Sequence, residues 1–146
     1  MKRLFFVFWL VLVSSVAFGQ VDKIVGYWVS VDDNTGKSES VFCIYKGSDG
    51  KYYGKVSEIL LPEYREATCD KCPGEDRGRK VMGMVMLKGL KADGDKLIGG
   101  RITDPRTGKT YSCRVSYDAK TDRLKLRGSL DKMGVLGRTQ YWIRKK

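Results

Sequence analysis

The chain has 146 residues, 28 Lys plus Arg against 17 Asp plus Glu, a formal charge of +11 and no His. A length of this order suits one domain around one core, and 42 % hydrophobic residues is a folding rather than a disordered composition. The lack of His excludes a Ser-His-Asp triad, a Cys-His pair, His-ligated zinc and haem attachment through CxxCH.

Residues 1–19 read as a cleavable secretory signal. Lys2 and Arg3 supply the charged start, Leu4 to Val13 is an unbroken apolar run, and Ala17-Phe18-Gly19 places small residues where a signal peptidase inspects them. The run is shorter than the about 20 apolar residues of a membrane span. Cleavage is expected before Gln20. There, 146 less 19 leaves 127 residues, and +11 less Lys2 and Arg3 leaves +9. Residues 20–146 then form one domain, periplasmic or secreted, where disulfides persist.

The remaining chain has almost no sustained helical period. Gly26-Tyr27-Trp28 opens a first strand, and Val41 to Tyr45 is followed by the turn Ser48-Asp49-Gly50 and by Tyr52 to Leu61. Ile98 to Thr103 leads through Asp104-Pro105-Arg106-Thr107-Gly108 into Thr110 to Tyr117. Arg123 to Leu130 and Arg138 to Arg144 close the series, with Met133-Gly134 between them. Short apolar runs broken by turn residues every ten or so positions predict an antiparallel barrel or sandwich. Asp-x-x-Thr-Gly-Lys occurs at Asp32–Lys37 and again at Asp104–Lys109, and reads as one turn recipe used twice. Period two puts Leu124 and Leu126 opposite Arg123, Lys125 and Arg127; Tyr111, Cys113, Val115 and Tyr117 likewise share a face. Val81 to Leu87 fits a buried strand or a short helix over a barrel mouth, and the helix is preferred.

Four cysteines, Cys43, Cys69, Cys72 and Cys113, allow three complete pairings. Cys69 and Cys72 lie in a Pro- and charge-rich stretch with Pro73-Gly74 next and no βαβ pattern around it. That favours a disulfide shaping a loop over a redox site or a four-thiolate zinc site. Cys43 and Cys113 stay unassigned. Asp32, Asp33, Asp49, Asp93, Asp95, Asp104, Asp118 and Asp122 all fall in or beside turns, so turn chemistry accounts for them and no catalytic residue is assigned. Arg114, Arg123, Lys125 and Arg127, extended by Arg138, Arg144, Lys145 and Lys146, would merge into a basic wall if their strands are neighbours. No nucleic-acid motif accompanies that charge.

Gly-x-Trp on the first strand with an Arg on the last resembles the lipocalin pattern, in which the Trp packs at the closed barrel end with the Arg across its face. A longer ordered set adds the Asp-x-x-Thr-Gly-Lys turn, Cys69-x-x-Cys72, the run from Gly99 to Cys113 and the ending Gly137-Arg138-Thr139-Gln140-x-Trp142. Together they resemble the exported bacterial family called domain of unknown function 2147 over roughly residues 24 to 144. The resemblance implies a lipocalin-like barrel outside the cytoplasm and no established activity.

The resulting expectation is an all-β, single antiparallel up-and-down β-barrel of about eight strands, lipocalin-like, with a short helix or loop covering one end. Its expected function is non-enzymatic binding of a small hydrophobic or amphipathic molecule in the interior, without cofactor or metal. Tyr53, Met84, Tyr111, Tyr117 and Trp142 are the candidate lining, Arg138 and Gln140 the candidate contacts for a polar head, and Gly26 and Trp28 structural. Arg138, Gln140 and Trp142 share one face, and should it point outward they join the basic wall instead. The alternatives are a filled barrel acting on an anionic lipid or envelope surface, and a CxxC thiol oxidoreductase.

Overall fold

A computed structural model describes residues 18–131 and 136–146. The signal region before Phe18 and the Met133-Gly134 turn lie outside the described residues. A helix α1 (Phe18–Ile24) precedes eight strands: β1 (Gly26–Val31), β2 (Ser38–Lys46), β3 (Tyr52–Ile59), β4 (Val85–Asp93), β5 (Lys96–Thr103), β6 (Thr110–Asp118), β7 (Arg123–Ser129) and β8 (Gly137–Arg144). Each pairs antiparallel with the next, and β8 returns to β1, closing an up-and-down barrel. Closure is uneven: β7 and β8 align over seven residue pairs, whereas β8 meets β1 only at Trp28↔Arg144 and Val29↔Ile143.

Alternation sets the core. On β7, Leu124 and Leu126 are buried while Arg123 and Lys125 are exposed; on β6, Cys113 and Val115 are buried and Arg114 is exposed. The inward apolar residues of the strands make one continuous core. On β4 the alternation is broken, because Gly54↔Leu87 and Tyr52↔Leu90 span three steps on β4 against two on β3, a bulge at Gly89.

The helix expected over Val81 to Leu87 is not formed. Gly83 N–H donates to the Val56 carbonyl (2.8 Å) and Val56 N–H to the Met84 carbonyl (2.9 Å), so the backbone groups of this segment are used across to β3, and β4 follows from Val85. A helix does cover one barrel end, but it is α1. Val21 and Ile24 are buried against the core, and Trp28 Nε1 donates to the Ile24 carbonyl at 2.8 Å. Gly26, at φ 138°, turns the chain from α1 into β1, a backbone that residues with a Cβ rarely adopt. The cleavage point expected before Gln20 falls inside α1, and its packing residues Val21 and Ile24 lie beyond it. The β3–β4 connection carries two 3₁₀ turns, Pro62–Tyr64 and Gly74–Asp76.

Candidate functional site

The end opposite α1 is open. A cavity of about 910 Å³ runs in from it, bordered by inward side chains of the strands and by the connections β3–β4, β5–β6 and β7–β8. Its deep part is apolar. Phe42 on β2 and Trp142 on β8 stack with ring centroids 4.5 Å apart and planes 21° apart, and Ile59, Met86, Ile102, Cys113 and Leu126 complete the walls. Offset aromatic pairing of this kind favours a rigid floor. Gln140 accepts the Trp142 Nε1 proton at 3.1 Å, so the indole is satisfied and presents only apolar surface. Gly128, opposite both Cys113 and Arg138, contributes no side chain, which opens the middle of the cavity.

The mouth is polar and charged. The two Asp-x-x-Thr-Gly-Lys turns fold alike; the second borders the mouth through Asp104, Pro105 and Arg106, and the first reaches it through the pairing of Asp33 with Arg138. Asp32 Oδ1 accepts from Asn34 N (2.8 Å) and Asp104 Oδ1 from Arg106 N (2.9 Å). Thr35 and Thr107 each accept from the following lysine N–H at 3.2 Å, and Gly36 and Gly108 donate back to Asp32 and Asp104. These are Asx-type turns in which the carboxylate fixes the backbone. Arg138 forks onto Asp33, Nε to Oδ2 at 2.8 Å and Nη2 to Oδ1, and that hydrogen bond holds the Asp33 carboxyl below its ordinary value. Arg106 pairs with Asp104 at 3.3 Å. Glu39, half-buried in the cavity wall, has its carboxyl pushed up, chiefly by burial; Arg106 opposes the shift, and Asp32, which shares a hydrogen bond with it, adds to it.

A disulfide joins Cys69 and Cys72, both fully buried, in the β3–β4 connection. Cys69 Sγ lies 3.6 Å from the Pro105 carbonyl oxygen. Gly108, at φ 72°, sits so close to the Lys71 carbonyl that a Cβ has no room. The disulfide loop is therefore seated on the β5–β6 turn and forms one side of the mouth, through Thr68, Asp70 and Lys71. Tyr64, Leu130 and Leu136 add exposed apolar surface to the rim. Among the described residues, no three His, Cys, Asp or Glu side chains are placed to hold a metal ion.

Of the candidate lining, Tyr111, Arg138, Gln140 and Trp142 border the cavity. Three others do not. Tyr53 points outward, because Tyr52 takes the inward position beside it; it stacks on Tyr45 (5.9 Å) and bonds Asp49 in the β2–β3 turn. Met84 is buried in the turn before β4, away from the cavity. Tyr117 faces in but at the end closed by α1, where it donates to Asp122 at 2.7 Å and lies 6.3 Å from Trp28. Arg144 shares that end, its guanidinium 4.4 Å from the centre of Trp28 and bonded to Asp122. Arg138 and Arg144 thus belong to the two barrel ends and not to the basic wall. Cys43, half-buried, and Cys113, buried, are free thiols. Sequence reasoning missed Phe42, Glu39 and Arg106. Phe42 sits between apolar neighbours that hide its phase, and the other two carry no pattern distinguishing them from solvated charges.

The family model DUF2147, described as an uncharacterized protein conserved in bacteria, matches residues 26–144. The chain is a member of the DUF2147 family. Among solved structures, this DUF2147 barrel is similar to protein HP1028 from the human pathogen Helicobacter pylori, described as belonging to the lipocalin family. The likeness has a TM-score of 0.72 at 26 % identity and covers 84 % of this chain and 82 % of that one. No curated protein matches the DUF2147 chain.

Proposed function

We propose that this chain is an exported, non-enzymatic binding protein that holds a small, partly apolar molecule inside the barrel. The observation that carries the reading is the 910 Å³ cavity, floored by Phe42 and Trp142 and open at one end only. That volume suits a small-molecule site, as do its apolar depth and few convergent polar groups. Trp142 and Tyr111 contact the apolar body, and the polar end lies toward the mouth, where Gln140, Arg138 and Glu39 border the cavity. Export to the periplasm or beyond is supported by the leader-like start and by the buried Cys69–Cys72 disulfide. With neither of those sulfurs exposed to an attacking thiol, exchange chemistry is the weaker reading.

Native mass spectrometry of the purified protein, with organic extraction of what it carries, tests the reading; a bound small molecule is expected. A Cβ at Gly128 meets Ile102 and Tyr111 at an ordinary 3.7 Å, so Gly128→Leu projects into the cavity without a backbone clash. The variant should fold normally and lose the molecule. Equal loading of the variant and the parent protein would overturn the proposal.

A second reading has its own observation. Arg114 and Arg127 face each other across β6 and β7, with Arg123 and Lys125 on the same outer face, and Tyr141 and Ile143 are exposed on neighbouring β8. A basic sheet face beside exposed aromatic and aliphatic side chains suits a surface that meets an anionic lipid or envelope layer. Binding of the protein to anionic vesicles should then vanish at high salt, whereas an interior apolar ligand should stay.

A further inference from the structure

Acids and bases balance in number along the cavity, Glu39, Asp70 and Asp104 against Lys71, Arg106 and Arg138, and what separates them is which are paired. Arg138 is occupied by both oxygens of Asp33, and Arg106 by Asp104. Asp70 and Lys71 offset one another at the rim. What remains is Glu39, projecting from the cavity wall, with Asp32 hydrogen-bonded to it. The Glu39 carboxyl lies at the head of β2, and Phe42 of the apolar floor is three residues further along the same strand, about 10 Å at ~3.3 Å per residue. An acid at the mouth and an aromatic floor one short chain-length below it make a two-ended site.

We infer that the cavity selects an amphipathic molecule with a cationic, amine-type head, seated against Glu39, and an apolar tail lying on Phe42 and Trp142. The inference rests on the reading of the barrel as a container. A carboxylate head is disfavoured in the same place: it meets Glu39, and the two arginines of the lining are already paired with Asp33 and Asp104. The raised Glu39 carboxyl fits this arrangement, since a half-buried acid with too little positive charge beside it gains most from an arriving ammonium. The groups that face Glu39 are Asp32, Asp104 and Arg106, with Arg138 beyond them, so its titration controls the head preference.

Calorimetric titration with decylamine, decanol and decanoate at neutral pH tests it, because the three share one tail and differ only in head charge. Decylamine should bind roughly tenfold more tightly than decanol, the scale of one charge-assisted hydrogen bond, and decanoate more weakly than either. In Glu39→Gln, decylamine should fall to the level of decanol, with retained decanol binding showing that the barrel is intact. Acidification should weaken decylamine binding and leave decanol unchanged. Equal binding of all three, or preference for decanoate, overturns the head assignment and leaves the container reading standing. A decylamine preference that survives in Glu39→Gln overturns it as well. If no chain binds, both readings fall.

Discussion

At the scale of single residues, the two arginines of β8 do different work at opposite ends of the barrel. Arg144 covers the face of Trp28 and is held there by Asp122, which Tyr117 also bonds. Arg144→Met keeps the packing and removes the cation, and should lower stability by about 1 kcal/mol, seen as a reduced urea midpoint. The acids respond to pH in two senses. Asp33, lowered first by Arg138, and Asp122, lowered first by Tyr117 and then by Arg144, stabilise the fold above their unfolded-state values, and the contribution is lost as pH falls through the folded ones. Glu39 is raised, so its contribution is present below its unfolded value and disappears as pH rises through the folded one. Glu39→Gln should therefore raise the urea midpoint at neutral pH. The free thiols also separate: burial pushes Cys113 up to about 12, and Cys43 is half-buried. Alkylation of the native protein at neutral pH should modify Cys43 and spare Cys113, with mass spectrometry of peptides as the readout.

At the scale of elements, the strands with strict alternation were legible in the sequence. Leu124 and Leu126, or Cys113 and Val115, announce their face because charged or hydroxyl residues separate them. Two elements were not. β4 reads as a mixed apolar run because the bulge at Gly89 changes the phase between Leu87 and Leu90, and its pairing with Val56 is a long-range contact that no local pattern encodes. α1 escaped notice because its packing depends on Trp28 and the barrel end rather than on its own seven residues. The turns were readable as turns, but not the docking of one connection on another. That contact yields a prediction: Gly108→Ala forces a Cβ into the Lys71 carbonyl at a positive φ. It should cost about 1–3 kcal/mol and expose the 60–84 connection to limited proteolysis well before the strands are cut.

For the whole molecule, the net charge of +11 conceals an internal division: bases dominate the outer face of β6 and β7, while acids and bases balance at the mouth, where Arg106 and Arg138 are paired. Composition alone reports only the sum. Cavity residues were readable where period two and the family resemblance agreed, as at Tyr111, Gln140 and Trp142. They were unreadable where the choice of open end decided the matter, as for Tyr117, which has the right face at the wrong end.

The meeting of β8 with β1 has one further result. Ladder pairing there is confined to Trp28↔Arg144 and Val29↔Ile143, near the plugged end. From those pairs to the mouth the two strands run side by side without a register, and the fork between Asp33 and Arg138 spans them at the lip. Among the described residues, the wall is thus a sleeve slit along part of its length and fastened at the lip by that clasp. With fewer ladder pairs than any of the other seven seams, this one should open first, and the edge amides of β1 and β8 should be the first in the barrel to exchange with deuterium.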